Sequence, residues 1–280
     1  MASVRLSFTP EAGLLASELP LRMIRASGVV DPEPFRRRSV EGPLLSEPFS
    51  PSAGFRALHL RPGQQADLFD APKSSLSGSH LLSFVVSGVL EIALSAGEPL
   101  HLLPGDLFLV EAEAAPHIAA SPQGDFRLLQ LPVEPDWPGE RARAVPDVLR
   151  GSRPGDTCNF KRMVKGADER STFHPFNNLF GPAGAWSKLT PLIGFRFIGM
   201  AEDTFIDWHP EIVNNLVIVL SGGLELEVGG GGGSVEVFYP GDVCLAQDRT
   251  GEGHIDRMHG YVQVAVLIVE DDDLWPLSAE

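Results

Sequence analysis

The sequence predicts an all-β protein built as two copies of one domain, and three observations carry that prediction. First, phrases recur. FVVSGVLEI from Phe84 and IVLSGGLEL from Ile218 are followed by LLPGDLFLV from Leu102 and FYPGDVCLA from Phe238. Each copy then has a His (His117, His254) and closes on an apolar run, FRLLQLPVE from Phe126 and VQVAVLIVE from Val262. Second, the apolar residues from Phe55 onward fall in short alternating runs, the period of strands. No long amphipathic helix interrupts them. Third, 24 prolines and 29 glycines punctuate the runs, as many short strands require. The Ser-Gly markers Gly88 and Gly222 lie 134 residues apart, and the Pro-Gly-Asp markers Pro104 and Pro240 lie 136 apart. So do the closing glutamates Glu134 and Glu270. A repeat this long is a duplicated domain, not a solenoid unit.

Taken in order, residues 1–54 read as an N-terminal arm. Pro10 to Met23 suits one short helix, and Leu21 to Ile24 a strand. Phe84 to Ala93 and Leu216 to Val228 mix β-branched residues with alternation and read as strands that end in turns. Pro104-Gly105-Asp106 and Pro240-Gly241-Asp242 are tight turns whose Asp can bond the backbone. The segment 132–154, rich in Pro, Gly and Arg, is the natural linker, with a second short helix over Ala142 to Leu149. The expected domains are therefore 1–150, the arm with the first copy, and 151–280, the second copy. Gly229 to Gly233 lies between two strands with no helix after it. It predicts a long hairpin loop rather than a phosphate cradle, and it supplies the two-residue difference between the copies.

Composition narrows the function classes. The net charge is -15, from 22 basic and 37 acidic residues, which argues against nucleic acid or an anionic membrane as partner. The first twenty residues have no long apolar core and carry Glu and Pro, unlike a signal peptide. No stretch approaches the length of a membrane span. Cys158 and Cys244 are the only cysteines and fall at non-equivalent places in the repeat. A reduced cytoplasm fits them; a disulfide framework does not. Both read as buried or inert thiols. No Gly-x-Ser-x-Gly elbow, P-loop or paired-Cys motif is present.

The repeated phrases resemble the cupin superfamily, in which a motif ending in strand and Gly is followed by one that starts at Pro-Gly-Asp and reaches a His. The C-terminal copy is similar to small cupins of undefined activity. Asp207-Trp208-His209-Pro210, Leu220-Ser221-Gly222, Pro240-Gly241-Asp242, the run Ala246 to His254 and the upstream Gly166 to Phe173 carry that likeness. The resemblance covers residues 160–270, while the N-terminal copy matches only in its strand and turn phrases. It implies two antiparallel jelly-roll (cupin) β-barrels in tandem, a bicupin. Edge strands of such barrels need covering, by the arm or by a partner chain, which leaves a homodimer open.

The resemblance also implies where a divalent metal would sit. Counting back from Gly222, Asn215 takes the place of the usual Glu, His209 and Glu211 the places of the usual two His, and His254 the place in the second motif. His209 and Glu211 are two apart, and Asn215 keeps the parity, so an extended strand would turn all three to one face. His209, Glu211, Asn215 and His254 are the expected metal set, suited to Fe, Mn, Ni or Zn. Glu211 and Asn215 depart from the usual pattern. Asp248, Arg249 and Thr250 precede His254 and are expected to support the histidine or touch the ligand, with Asn215, Asp248 and Arg249 as ligand-binding residues. A plain salt-bridged loop is the competing reading of that segment. His259 should face outward, and His174 lies in what reads as a loop.

In the N-terminal copy the 134-residue offset places Ser75, Ser77 and Leu81 at the positions of His209, Glu211 and Asn215, so no metal set survives there. Its expected role is structural. Three functions stay open: a bicupin that binds a small molecule through a divalent metal in the C-terminal barrel, with no reaction fixed by the residues; a metal-dependent dioxygenase or isomerase acting on a small organic acid or aromatic; and a metal-free structural or regulatory protein.

Overall fold

The computed structural model describes residues 2–19, 21, 23–26, 29–30, 50, 52–69, 79–137 and 158–269. Ser75, Ser77, Glu270 and the segment Ala142 to Leu149 lie outside them. Among the described residues the regular structure is strand, joined by turns and short 3-10 turns. In chain order the strands are β1 Ser3–Thr9, β2 Gly13–Glu18, β3 Met23–Ala26, β4 Val29–Val30, β5 Arg56–Leu60, β6 His80–Ala93, β7 Leu100–Leu102, β8 Leu107–Val110 and β9 Ala119–Val133. They continue as β10 Phe160–Lys165, β11 Ser171–Pro175, β12 Leu192–Met200, β13 Phe205–His209, β14 Asn214–Val228, β15 Ser234–Phe238, β16 Val243–Ala246 and β17 His254–Val269. Among the described residues no helix is long and apolar enough to cross a membrane.

The chain forms two compact units that interleave in sequence. The first holds Met1–Arg22, Pro51–Val148 and Leu179–Pro191; the second holds Met23–Ser50, Leu149–Asn178 and Leu192–Glu280. A single cut at 150/151 therefore leaves one segment of each unit on the far side. The first unit's sheet runs β2-β1-β8-β6-β9-β5, with β7 on β6; the second runs β11-β10-β16-β14-β17-β12-β3, with β15 on β14 and β13 between β17 and β4.

Strand register confirms the duplication residue by residue. Leu81 pairs with Val110 on β8 and Pro132 on β9; Asn215, 134 positions on, pairs with Ala246 and Ile268, each 136 positions on. The two Pro-Gly-Asp turns close in the same way. Asp106 accepts from Leu103 N–H at 2.9 Å and from Ala2 N–H; Asp242 accepts from Tyr239 N–H at 2.7 Å and from Asn159 N–H at 2.6 Å. One carboxylate thus ties its own turn to the start of an incoming strand pair. At Gly88 and Gly222 the long strand bulges, with φ of 74° and 72°, and a Cβ there would press on the backbone carbonyl of Gln123 or Tyr261. Only glycine fits both demands.

Three expectations are corrected here. Pro10 to Met23 is not a helix: β1 and β2 form a hairpin, Thr9 Oγ1 accepts from Ala12 N–H in its turn, and β3 starts at Met23. Leu6 and Leu14 are the buried residues of that hairpin, one on each strand. The sheets are also mixed rather than wholly antiparallel. β1 runs parallel to β8, β10 to β16, β3 to β12 and β4 to β13, because each incoming segment joins an existing edge in the same sense. The strands of the arm so occupy edges that would otherwise be bare. His174, expected in a loop, is on β11, where its ring nitrogen meets Thr172 Oγ1 at 3.0 Å.

The interiors differ. In the first unit Leu81, Val85, Phe108, Val110, Phe126 and Leu128 belong to one buried cluster. In the second unit the register positions of Phe108, Val110 and Leu128 are Cys244, Ala246 and Val264, all smaller. Those three exchanges open space inside the second unit, and all three residues line its cavity.

Candidate metal centre

The cavity in the second unit measures about 80 Å³. Its walls are apolar, with Ile198, Val217, Leu224, Val264 and Val266 among them, and its polar residues are Arg196, His209, Glu211, Asn215, His254 and Asp256. Apolar walls with a few converging polar groups are the usual form of a small-ligand site.

His209 ends β13 and His254 begins β17, and the two are register partners, with ring centroids 4.4 Å apart. Gly253 permits this approach: its φ is 81°, and a Cβ there would overlap the His209 carbonyl. Asp256 follows His254 by two residues on the same strand, so it shares its face. Its carboxylate lies 3.3 Å from His254 Nε2 and 3.9 Å from His209 Nε2. One donor atom from each of His209, His254 and Asp256 lies within 4.8 Å of the others. That is near the spread set by one first-row ion with bonds of about 2.0–2.2 Å.

The far nitrogen of each ring is already committed. His209 Nδ1 lies 2.9 Å from the Asp207 carbonyl, which can only accept, so Nδ1 carries the proton and Nε2 offers a lone pair inward. His254 Nδ1 lies 2.8 Å from Asp248 Oδ2, which also accepts from Ser171 Oγ at 2.7 Å. Orientation of a histidine by an outer acceptor is the habitual arrangement of metal-binding imidazoles. The run Gly166 to Phe173 finds its use here. It builds the β10–β11 hairpin that presents Ser171 to Asp248, and its Glu169 carbonyl accepts from Glu252 N–H at 2.8 Å.

Glu211 and Asn215 line the same cavity but bond to each other, Asn215 Nδ2 donating to Glu211 Oε2 at 2.6 Å. Parity on one strand does not bring them there, since β13 stops at His209 and Glu211 sits in the following turn. Glu211 N–H is held by the Asp248 carbonyl at 3.2 Å, which turns the residue back toward the site. Asn215 Oδ1 is buried and, among the described residues, has no hydrogen-bond partner. Asp248 lies behind His254 rather than in the cavity wall. Arg249 is exposed and does not line the cavity, because the loop turns outward after Asp248. Thr250 is exposed as well.

The electrostatics are those of a crowded, buried acidic site. Burial raises the Glu211 carboxyl to about 7; Asp248 and Asp256 add to the rise, and His254 and Arg196 oppose it. Burial likewise raises Asp256 to about 6, with His254 opposing and Asp248 adding. Burial disfavours the His254 imidazolium, but Asp248 and Asp256 outweigh it and hold the ring up at about 10. Without a metal, the His254 proton thus serves as the cation between two carboxylates. A divalent ion in its place would release that proton.

Two residues of this site went unnoticed in the sequence, Asp256 and Arg196. Asp256 was signalled by its i+2 spacing from His254. Arg196 was signalled by a third repeated phrase, Gly54-Phe55-Arg56 and Gly194-Phe195-Arg196. The first unit lacks the ligands: the register positions of His254 and Asp256 are Ile118 and Ala120, and that of Asn215 is Leu81. His117 is exposed and stacks on Phe8 with centroids 3.5 Å apart. His80 is buried, and its Nδ1 accepts from Ala112 N–H at 3.3 Å. His259 does face outward, 2.8 Å from Glu225. Cys244 is buried with its thiol pushed up by burial, so it stays protonated; Cys158 is half-buried.

No protein-family model and no curated protein matches the chain. Several solved structures are similar to it. One is a cupin 2 conserved barrel domain protein from Leptotrichia buccalis, at 12% identity over 81% of this chain and 86% of that one, with a TM-score of 0.37. A second is a protein of unknown function from Pseudomonas syringae, at 14% identity over 96% of this chain and 100% of that one, TM-score 0.34. A third is the oxalate decarboxylase of Bacillus subtilis, described by its Mn(II) centres, at 11% identity over 79% of this chain and 67% of that one, TM-score 0.26. Likenesses at these scores assign no residue of this chain a role.

Proposed function

We propose that the second unit binds a small molecule through a divalent metal ion held by His209, His254 and Asp256. Glu211 and Asn215 stand at the same polar end of the cavity, as a further ligand or as contacts to the bound molecule. The observation that carries this reading is the orientation of the two imidazoles. Each gives its Nδ1–H to an outer oxygen and turns Nε2 toward the Asp256 carboxylate. Two nitrogens and one carboxylate suit Fe(II), Mn, Ni and Zn, and they leave positions open for a ligand or water. When bound, the ion would supply a Lewis-acidic centre. The chain's own residues orient it, exclude bulk water with apolar walls and hold an acidic group, Glu211, beside it.

Thermal unfolding after chelation and re-addition of each metal tests this. A ligand that binds only the folded chain raises stability by about 2.7 kcal/mol at a hundredfold excess over its dissociation constant. At least one of Mn, Fe(II), Ni or Zn should raise the transition temperature of the wild type and fail to do so for Asp256→Asn. No response to any of the four would count against the reading.

A further inference from the structure

We propose that the ligand of this cavity meets Asn215 with an uncharged O–H or N–H group, so that it is a small alcohol or amide rather than a carboxylate. The inference rests on the metal-assisted reading above and names its ligand class.

The duplication supplies the comparison. Asn215 and Leu81 hold the same register position, and Leu81 is 2% exposed within the packed cluster of the first unit. The fold therefore accepts an apolar side chain there, and strand pairing does not call for an amide. The surroundings have changed with it. Ala246, the register partner of Asn215, stands where Val110 pairs with Leu81, and Val264 stands at the place of Leu128. A polar group has replaced an apolar one in the unit whose interior has opened.

Asn215 is 6% exposed and lines the cavity. Its two polar atoms differ in standing. Nδ2 donates to Glu211 Oε2 at 2.6 Å, and this bond fixes which edge of the amide carries the oxygen. Oδ1 is buried and has no hydrogen-bond partner among the described residues. A buried amide oxygen left unpaired destabilises the fold, so such an atom calls for a donor. An amide oxygen only accepts. A carboxylate, ester or ether oxygen offers it nothing, whereas an O–H or N–H group pairs with it. A divalent ion at the same end of the cavity repels an ammonium group, which leaves an uncharged donor. Size sets the rest. A cavity of about 80 Å³ holds on the order of five to eight water-sized positions. The body of the ligand is therefore short and apolar, matched to Ile198, Val217 and Val264.

Titration of the metal-loaded full-length protein, followed by amide NMR shifts, tests the proposal with two pairs of probes matched in size. The pairs are butan-1-ol with 1-methoxypropane, and N-methylacetamide with methyl acetate; only the first of each carries a donor. Metal content is measured on the same samples. Wild type should bind the donor of at least one pair about 5- to 100-fold more tightly than its counterpart, and the pair that shows this tells an alcohol from an amide. Asn215→Leu, which installs the residue of the first unit, should remove the preference and retain the metal. Equal binding within both pairs by wild type, or no binding of any probe, overturns the inference. So does a folded Asn215→Leu that keeps the preference, and so does loss of the metal from that variant, which would assign Oδ1 to the ion. Should the variant not fold, the wild-type preference decides. A donor preference in protein that holds no metal would sink the metal reading and leave this one standing. Bound metal with no donor preference would do the reverse.

Discussion

His254 Nδ1 lies 2.8 Å from Asp248 Oδ2, and this contact fixes which edge of the imidazole faces the cavity. Removing the acceptor frees the ring to rotate and leaves a buried N–H without a partner. Asp248→Ala is expected to lower divalent-metal affinity by about 10- to 100-fold, the usual cost of losing an outer partner of a ligating histidine. Ser171→Ala, which removes only the hydroxyl behind Asp248, should cost less. Competition against a chromogenic chelator measures both. Equal affinity in Asp248→Ala and wild type would show that the contact does not orient the ligand.

Gly253 has φ of 81° and no room for a Cβ against the His209 carbonyl. Gly253→Ala should therefore lose about 1–3 kcal/mol from backbone strain alone, and more from the clash. It should also part the two histidines and so lose metal. Denaturant unfolding and metal analysis follow the two effects. A variant as stable as wild type with full metal content would contradict the close approach of β13 and β17.

Much of this was legible in the sequence, for a physical reason. Turns and bulges tolerate few residues, so Ser87-Gly88, Ser221-Gly222 and the two Pro-Gly-Asp phrases survive duplication and announce the repeat. The strand partners were legible only through that repeat. Site residues were harder. Asp256 is a single carboxylate on a long strand, and only the pairing of β13 with β17 makes it a neighbour of His209. Glu211 reached the cavity by a turn bonded to Asp248, not by the strand parity that suggested it. Pro10 to Met23 reads as a short helix because the alternation of β2 is short and the turn before it carries no Asn-Gly or Asp-Gly signal.

Cys244 stands where the first unit has Phe108, and Ala246 where it has Val110. Refilling the cavity should separate ligand from metal. Cys244→Phe is expected to fill the cavity and leave metal content unchanged, because the thiol lies outside the donor group. Overpacking should cost about 1–3 kcal/mol, so binding is measured below the new unfolding temperature. Loss of the metal from a folded Cys244→Phe would contradict that separation.

Glu211, Asp256 and His254 all bind their proton more tightly in the folded, metal-free chain than their ordinary values imply. Such groups contribute stability that is full below the ordinary value and is lost as pH rises through the folded one. The windows run from 4.5 to about 7 for Glu211, from 3.8 to about 6 for Asp256 and from 6.5 to about 10 for His254. Chelated protein should therefore lose stability from these groups steadily across that range. A bound divalent ion stands in for the protons and should flatten the slope. Unfolding temperature against pH, with chelator and with metal, checks this. A chelated protein that gains stability between about pH 5 and 9 would reverse the sign.

The central claim is that one ion sits between His209 and His254. It is tested most directly by elemental analysis of the purified full-length protein after metal loading and dialysis, beside the double variant His209→Ala with His254→Ala. The account predicts about one divalent ion per chain in the wild type and none in the double variant, with Asp106→Ala retaining the ion because it acts only in the first unit. Equal metal content in wild type and double variant would contradict it.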